Sequence, residues 1–91
     1  MILTTTNNIE DHKIVDYLGI VTGVAIIKQN IFKNDISETL NKAKEQAFQN
    51  LHNNAAKLKA NAVVGILVDV ELLDQRYKIV VSVTGTAVKV N

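Results

Sequence analysis

The chain contains no cysteine, no proline and no tryptophan, and its 91 residues include only two tyrosines and two phenylalanines. The absence of cysteine excludes disulfide bonds, thiolate zinc sites and cysteine nucleophiles. Without proline there is no proline-rich linker or tail, and no internal repeat is visible. We therefore predict one domain spanning residues 1–91, near the lower end of the size range in which a single hydrophobic core suffices.

The chain also lacks a dominant charge and a long hydrophobic run. Ten basic and nine acidic side chains are interspersed and give a formal net charge of +1, so there is no basic stripe of the kind that binds nucleic acid. The longest uncharged stretch, residues 17–27, is shorter than the roughly 20 residues that a membrane helix needs. The first six residues lack the features of a secretory signal. These absences predict a cytoplasmic protein with no nucleic-acid partner and no membrane insertion.

Four segments have the pattern of β-strands. Residues 2–5 are rich in β-branched side chains and predict a short first strand. Residues 14–27 are apolar at both even and odd positions, which is typical of a strand that is covered on both faces. Residues 62–72 are apolar at every even position, and residues 77–87 are apolar or small at every odd position. The last two segments predict a β-hairpin with one wholly apolar face.

The register of that hairpin follows from its turn. A tight turn at Asp74-Gln75 would place Leu72 opposite Tyr77 and would pair Glu71 with Lys78 on the other face. The apolar phase reverses after residue 87, which predicts a bulge or bend near Thr86.

The middle of the chain predicts a single long helix. Asp35 is a candidate N-cap with Glu38 three residues later, and apolar side chains then recur every three or four residues from Ile36 to Leu58. The predicted fold class is α+β: an antiparallel-rich four-stranded sheet in β-β-α-β-β order, with one long helix on one face.

One helix covers one face of one sheet, so the opposite face needs another cover. That face would carry Val63, Leu67, Leu73, Val80 and one side of residues 14–27, an apolar patch too large to leave in water. We therefore predict a homo-oligomer, closed into a ring by repetition of one heterologous contact. The alternative is a monomer whose long strand bends at Gly19 and Gly23, so that each half buries one side.

Two groups of polar residues are candidate sites. Glu10, His12 and Asp16 are weak candidates for a metal site, because imidazole and carboxylates together bind zinc, nickel or copper; the alternative is a solvated histidine in a polar turn. His52, between polar neighbours on the helix, is interpreted as a surface residue. No nucleophile, oxyanion loop or partnered base accompanies the carboxylates, so we predict no enzyme activity and no catalytic residue.

A second group combines hydroxyl side chains with glycines in the strands. We take these residues as candidates for a ligand site or subunit interface: Thr22, Gly23, Ser82, Thr84, Gly85 and Thr86. The glycines match no phosphate-binding motif, so the alternative for them is structural, as places where strands bend or backbones approach closely.

Several strings in the chain resemble those of the YbjQ-like family: DYLGIVTG at 16–23, ANAVVG at 60–65 and VSVTGTAVKV at 81–90, with the opening TTTNNIED. The resemblance implies a dodecin-like subunit in a homopentameric ring, within a family labelled for heavy-metal binding. Three positions where the family usually has glycine hold Asp11, Lys28 and Lys59, and Lys59 would occupy a left-handed cap just past the helix. The glycine-rich Gly-Arg-Ser loop of the family, before the helix, is missing.

These observations predict a pentameric binding module for a small ligand or a metal ion, with the identity of any cofactor left open. Cysteine-dependent binding of a soft metal is excluded, because the chain has no thiolate. The alternative function is a structural scaffold or partner-binding ring without a ligand, whose working surface would be the polar helix face with Lys42, Glu45, Gln49 and Lys57.

Overall fold

The computed structural model describes residues 1–28, 36–74 and 77–91. The elements are β1 (Ile2–Leu3), β2 (Ile14–Lys28), α1 (Ile36–Lys57), β3 (Ala62–Leu73) and β4 (Lys78–Val90). The four strands form one sheet in the order β1-β3-β4-β2. β1 runs parallel to β3 and the other pairs are antiparallel, so this α+β fold has a mixed sheet. The predicted cap at Asp35 lies outside the described residues.

Small side chains bring α1 close to the sheet. The residues of α1 that are buried follow each other at intervals of four: Thr39, Ala43, Ala47, Leu51 and Ala55. Opposite them, Gly23 on β2 leaves no room for a side chain, because a Cβ there would lie 2.1 Å from the Ala47 carbonyl oxygen and 2.5 Å from the Leu51 nitrogen. The helix and sheet therefore approach backbone to backbone at this point, which only glycine permits.

α1 packs mainly on β2 and β4. The core below it is built from Val21 and Ala25 of β2 and from the odd residues 79, 81 and 83 of β4. On β3, Val68, Val70 and Leu72 pair with those same β4 residues but remain exposed. The prediction that one helix covers one whole face was therefore wrong, because α1 leaves the outer half of β3 open.

A second, smaller core lies at one end of the opposite side of the sheet. Ala62, Val64, Val88 and Val90 are buried there, and the half-buried Ile9 and Ile14 pack against them. The N-terminal segment is held in place by backbone hydrogen bonds from Gly65 N to Thr6 O (2.8 Å) and from Ile66 N to Thr4 O (3.1 Å). The N-terminal residues of the same chain therefore cover this end of the sheet.

The alternation of side chains in β3 is inverted by an extra residue. The pairing of β3 with β4 shifts between Val64 and Leu67, and Gly65 between them has φ 62°. As a result Val63 and Ile66 both face α1, and Val63 is fully buried there. The predicted bulge near Thr86 was on the wrong strand, and Val63 was assigned to the wrong face, because an irregularity in β3 reverses the phase of everything before it.

The β3–β4 hairpin has the predicted faces but a different register. Leu72 pairs with Ile79 and Glu71 with Val80, two residues beyond the predicted partners Tyr77 and Lys78. β3 continues through Leu73, and Tyr77 N donates a hydrogen bond to Asp74 O (3.0 Å). The predicted turn at Asp74-Gln75 lies partly outside the described residues.

The predicted Glu71–Lys78 pair is consequently not formed. Instead the Nζ atom of Lys78 lies 3.8 Å from the Oδ2 atom of Asp74. A shift of two residues preserves the side on which each residue lies, which is why the faces were right although the partners were wrong.

Two of the three positions where the family has glycine adopt a left-handed backbone. Asp11 and Lys59 each have φ 64°. After α1, the hydrogen bonds from Lys59 N to Ala56 O (2.9 Å) and from Ala60 N to Ala55 O (3.2 Å) form a Schellman motif. Lys59 is its left-handed residue, which confirms the prediction of a cap there.

Candidate functional site

The predicted hydroxyl residues lie together on the side of the sheet away from α1, which we call the far face. Thr22 pairs with Thr84, and their Oγ1 atoms are 3.4 Å apart. Ser82 pairs with Val24, and Thr86 pairs with Ile20. Because side chains alternate along a strand, all four hydroxyls point to the side opposite the buried odd residues of β4.

Gly23 and Gly85 belong to the other side of the sheet. A Cβ at Gly85 would lie 2.6 Å from Val63 Cγ1 and 2.9 Å from Ile66 Cγ1, within the core below α1. Gly23 meets α1 itself, as described above. The six candidates are therefore divided: four hydroxyls share the far face, and both glycines serve close packing.

Much of the far face is apolar and uncovered. Ile20 is 79% exposed, Leu67 76% and Ile26 63%. The hydroxyls of β4 lie between the apolar residues of β2 and those of β3, and the carboxylates of Asp69 and Glu71 stand opposite Ser82 and Val80. This surface combines apolar area with a row of hydrogen-bonding groups, which is the composition of a subunit interface or a ligand-contacting surface.

A groove of about 680 Å³ runs along the flank of α1 that lies next to Leu3 of β1. Its lining residues are Leu3, Asn41, Lys44, Glu45, Phe48, Gln49 and His52. The Nδ1 atom of His52 is buried and has no hydrogen-bond partner within residues 1–28, 36–74 and 77–91. Sequence reasoning treated His52 as a surface residue; the signal that was overlooked is its position four residues after Phe48, which places the two side chains on one flank.

The groove is lined by both apolar and charged residues. It flanks α1 beside Leu3 of β1, the strand that pairs with β3. It combines an apolar wall from Leu3 and Phe48 with charged groups from Lys44 and Glu45, so it can accept a ligand or a chain segment that has both characters.

The predicted metal candidates are near the end of β4. His12 Nδ1 lies 2.7 Å from the backbone oxygen of Asn91, and Lys13 N donates to Asn91 Oδ1 at 3.0 Å. A backbone oxygen only accepts, so Nδ1 is the donor in this hydrogen bond, and in the tautomer whose single proton is on Nδ1 the Nε2 atom has a free lone pair. That tautomer is the one in which the outer nitrogen can bind a metal.

Within one chain, however, Glu10, His12 and Asp16 are not gathered into a group of three potential ligands. Across residues 1–28, 36–74 and 77–91, no three side chains of His, Asp or Glu are grouped so that they could hold a metal ion. His12 therefore supplies one donor per chain, and a complete coordination shell would need groups from elsewhere. In the same ranges, no helix is long and apolar enough to cross a membrane.

Two comparisons place the chain among known proteins. The family model of the YbjQ-like family, described as "Putative heavy-metal-binding", matches residues 1–91. A solved structure of a protein of unknown function from Pediococcus pentosaceus, which belongs to the DUF74 family, is similar with a TM-score of 0.81 and 19% sequence identity. The similarity covers 100% of this chain and 98% of that one, and at this identity it establishes the fold.

Proposed function

This chain belongs to the YbjQ-like family, which is described as "Putative heavy-metal-binding". We propose that it works as a pentameric ring that holds a small ligand or a metal ion between subunits. The observation that carries the proposal is the far face, where Ile20, Ile26 and Leu67 are left in water by the single chain. Fully burying a side chain of this size contributes about 1.5–3 kcal/mol. Several such residues from each copy supply a substantial driving force for association.

The exposed face supports the ring over a bent monomer. β2 pairs with β4 over its whole length from Ile14 to Lys28, with irregularities only before Gly19. Bending at those irregularities leaves Ile20, Ile26 and Leu67 uncovered. The N-terminal segment buries Val88 and Val90, but its cover ends there. A second copy of the chain can bury these residues. The dodecin-like arrangement of the copies and their number, five per ring, are what the family resemblance implies.

A ring also supplies what the single chain lacks for binding. Each chain offers the Nε2 atom of His12 as one nitrogen donor, and symmetry would gather equivalent donors from several copies. Imidazole with carboxylates suits zinc, nickel or copper, whereas ions that require thiolate are excluded by the absence of cysteine. The hydroxyls of Thr22, Ser82, Thr84 and Thr86 are the corresponding candidates for a small polar ligand.

The test is native mass spectrometry with elemental analysis on untagged protein purified without added metal. The proposal predicts an assembly mass with a stoichiometric excess over its polypeptides, or stoichiometric uptake of Zn²⁺ or Ni²⁺ on titration. His12→Ala should abolish metal uptake, and His52→Ala is the matched control that should retain it. An assembly that carries no extra mass and takes up neither metal nor a small molecule from a cell extract would contradict the binding function.

The alternative function is a scaffold or partner-binding ring. It is favoured by the absence of a three-ligand group among the described residues and by the polar outer face of α1, with Lys42, Glu45, Gln49 and Lys57 exposed. Cross-linking followed by co-purification from the native host tests the scaffold function. A protein partner that co-purifies with the wild type but not with a Lys42→Glu/Glu45→Lys variant would support this function. With either function, we propose a cytoplasmic protein without enzymatic activity.

A further inference from the structure

Two asparagines of α1 donate hydrogen bonds to carbonyl oxygens of β2, the last strand on one side of the sheet in the described part of the chain. Asn50 Nδ2 donates to the carbonyl oxygen of Val24 at 2.8 Å, and Asn54 Nδ2 donates to that of Thr22 at 2.8 Å. The two asparagines are four residues apart on the helix, and the two carbonyls are two residues apart on the strand. This match of spacings lets one flank of α1 cap successive outward carbonyls of an edge strand.

Edge strands matter here because, among the residues that the structure describes, the sheet has two free edges. β2 is the last strand on one side. On the other side, β1 covers only Ala62 and Val63 of β3, and the N-terminal segment bonds Gly65 and Ile66, so residues 67–73 have no neighbouring strand among the described residues. Two free edges on opposite sides allow copies to pair β3 to β2 head to tail, which grows without limit unless the rotation closes a ring.

We propose that Asn50 and Asn54 close the middle of the β2 edge to strand addition by a second copy of this chain. An incoming strand must donate its own N–H groups to the outward carbonyls of Thr22 and Val24. Those acceptors are already occupied, and the asparagine side chains stand in the path. Association of copies is thereby directed away from unlimited edge-to-edge pairing and toward other surfaces, whether or not the protein forms a ring.

The size of the effect follows from the two hydrogen bonds. Opening both before a strand can add disfavours edge pairing by on the order of 10-fold to 100-fold, if each bond has the usual net strength. The neighbouring edge residues Ile20 and Ile26 carry exposed apolar side chains, so without the asparagines this edge would be an aggregation-prone strand.

The experiment compares Asn50→Ala/Asn54→Ala with Asn53→Ala. Asn53 is a matched control on the same helix, because its Oδ1 accepts from Gln49 Nε2 (3.0 Å) rather than bonding to the strand. Light scattering is followed as the protein concentration rises. The double variant should form species larger than the wild-type assembly at a concentration on the order of 10-fold lower than wild type or less, while Asn53→Ala matches wild type. A double variant that is folded by circular dichroism and keeps the wild-type masses throughout would overturn the proposal.

A measurement on the unaltered protein covers the case in which the double variant fails to fold. In NMR spectra, the side-chain NH₂ protons of Asn50 and Asn54 should exchange with water more slowly than those of Asn53, and equal rates would contradict the capping. The proposed ring and the proposed capping are refuted by different results. A monomeric wild-type protein refutes the ring. The capping is refuted only by a double variant that keeps the wild-type masses, or by side-chain amides of Asn50 and Asn54 that exchange as fast as those of Asn53.

Discussion

Replacing Gly23 by alanine tests the closest contact in the structure. The added Cβ would meet the Ala47 carbonyl oxygen at 2.1 Å, the Leu51 nitrogen at 2.5 Å and the Leu51 Cα at 3.0 Å. Ordinary carbon contacts begin at about 3.5 Å, so the helix must move by roughly 1 Å. All three obstructing atoms belong to the helix backbone, and no side-chain rotation can relieve the contact.

The expected loss of unfolding free energy depends on the contacts that α1 makes with the sheet. A gap of about 1 Å forfeits a quarter to a half of the dispersion energy of each contact it opens, and the whole buried row of α1 shifts together. Overpacking of this kind typically costs about 1–3 kcal/mol, and the rigid backbone obstruction places Gly23→Ala at the upper end, about 3 kcal/mol. In a domain of this size that lowers Tm by about 12–24 °C.

The assay is thermal and urea unfolding at one fixed protein concentration, because association contributes to apparent stability. Thr22→Ala is the control, since it changes the adjacent residue on the far face and should shift the unfolding free energy by less than about 1 kcal/mol. If Gly23→Ala unfolds with the wild-type midpoint, the backbone approach of helix and sheet is wrong, and Gly23 returns to being a candidate ligand residue.

Three further changes probe other parts of the account. Ile20→Lys places a charge in the proposed interface and should reduce the assembly to monomers by light scattering, whereas Lys42→Glu on the polar outer face of α1 should leave the mass unchanged. An unaltered Ile20→Lys assembly would exclude this surface from the interface. Lys59→Gly relieves the left-handed backbone at φ 64° and should stabilise the fold by about 1 kcal/mol in urea unfolding, while a loss of stability would count against the cap. His12→Ala removes the 2.7 Å contact with Asn91 and should cost about 0.5–1.5 kcal/mol, so an unchanged urea midpoint would show that this hydrogen bond does not contribute.

Local patterns predicted the elements and their faces. The repeat of small and apolar residues located α1 at Ile36–Lys57, and the alternation in the last third fixed which side of the hairpin is apolar. The family's glycine position at Lys59 predicted a left-handed residue that the Schellman motif contains. These features depend on neighbours within a few residues, which is why the sequence alone predicts them.

What could not be predicted depends on contacts between distant segments. The extra residue near Gly65 reverses the faces of Val63 and Val64, and no alternation pattern distinguishes it from a phase change in β4. The sideways position of α1 over β2 and β4 decides that β3 stays open and that a groove forms beside Phe48 and His52. The caps from Asn50 and Asn54 join residues 26 and 32 positions apart in sequence.

The positions of the candidate site residues were predicted in part. Choosing hydroxyls beside glycines found four residues that do share the far face, but the glycines themselves face the core because alternate residues point to opposite sides. For the metal candidates, nearness in sequence did not produce a three-ligand group, since the backbone between Glu10 and Asp16 turns through the left-handed residue Asp11 before β2 begins.

The most direct test of the account is the mass of the wild-type protein in solution, measured by size-exclusion chromatography with light scattering at micromolar concentration. The exposed far face predicts an assembly of several copies, and with the number five that the family resemblance implies, we expect a single species with the mass of a pentamer of the 10.0 kDa chain. A species with the mass of one chain, stable on further concentration, would show that Ile20, Ile26 and Leu67 remain in water and would contradict the account.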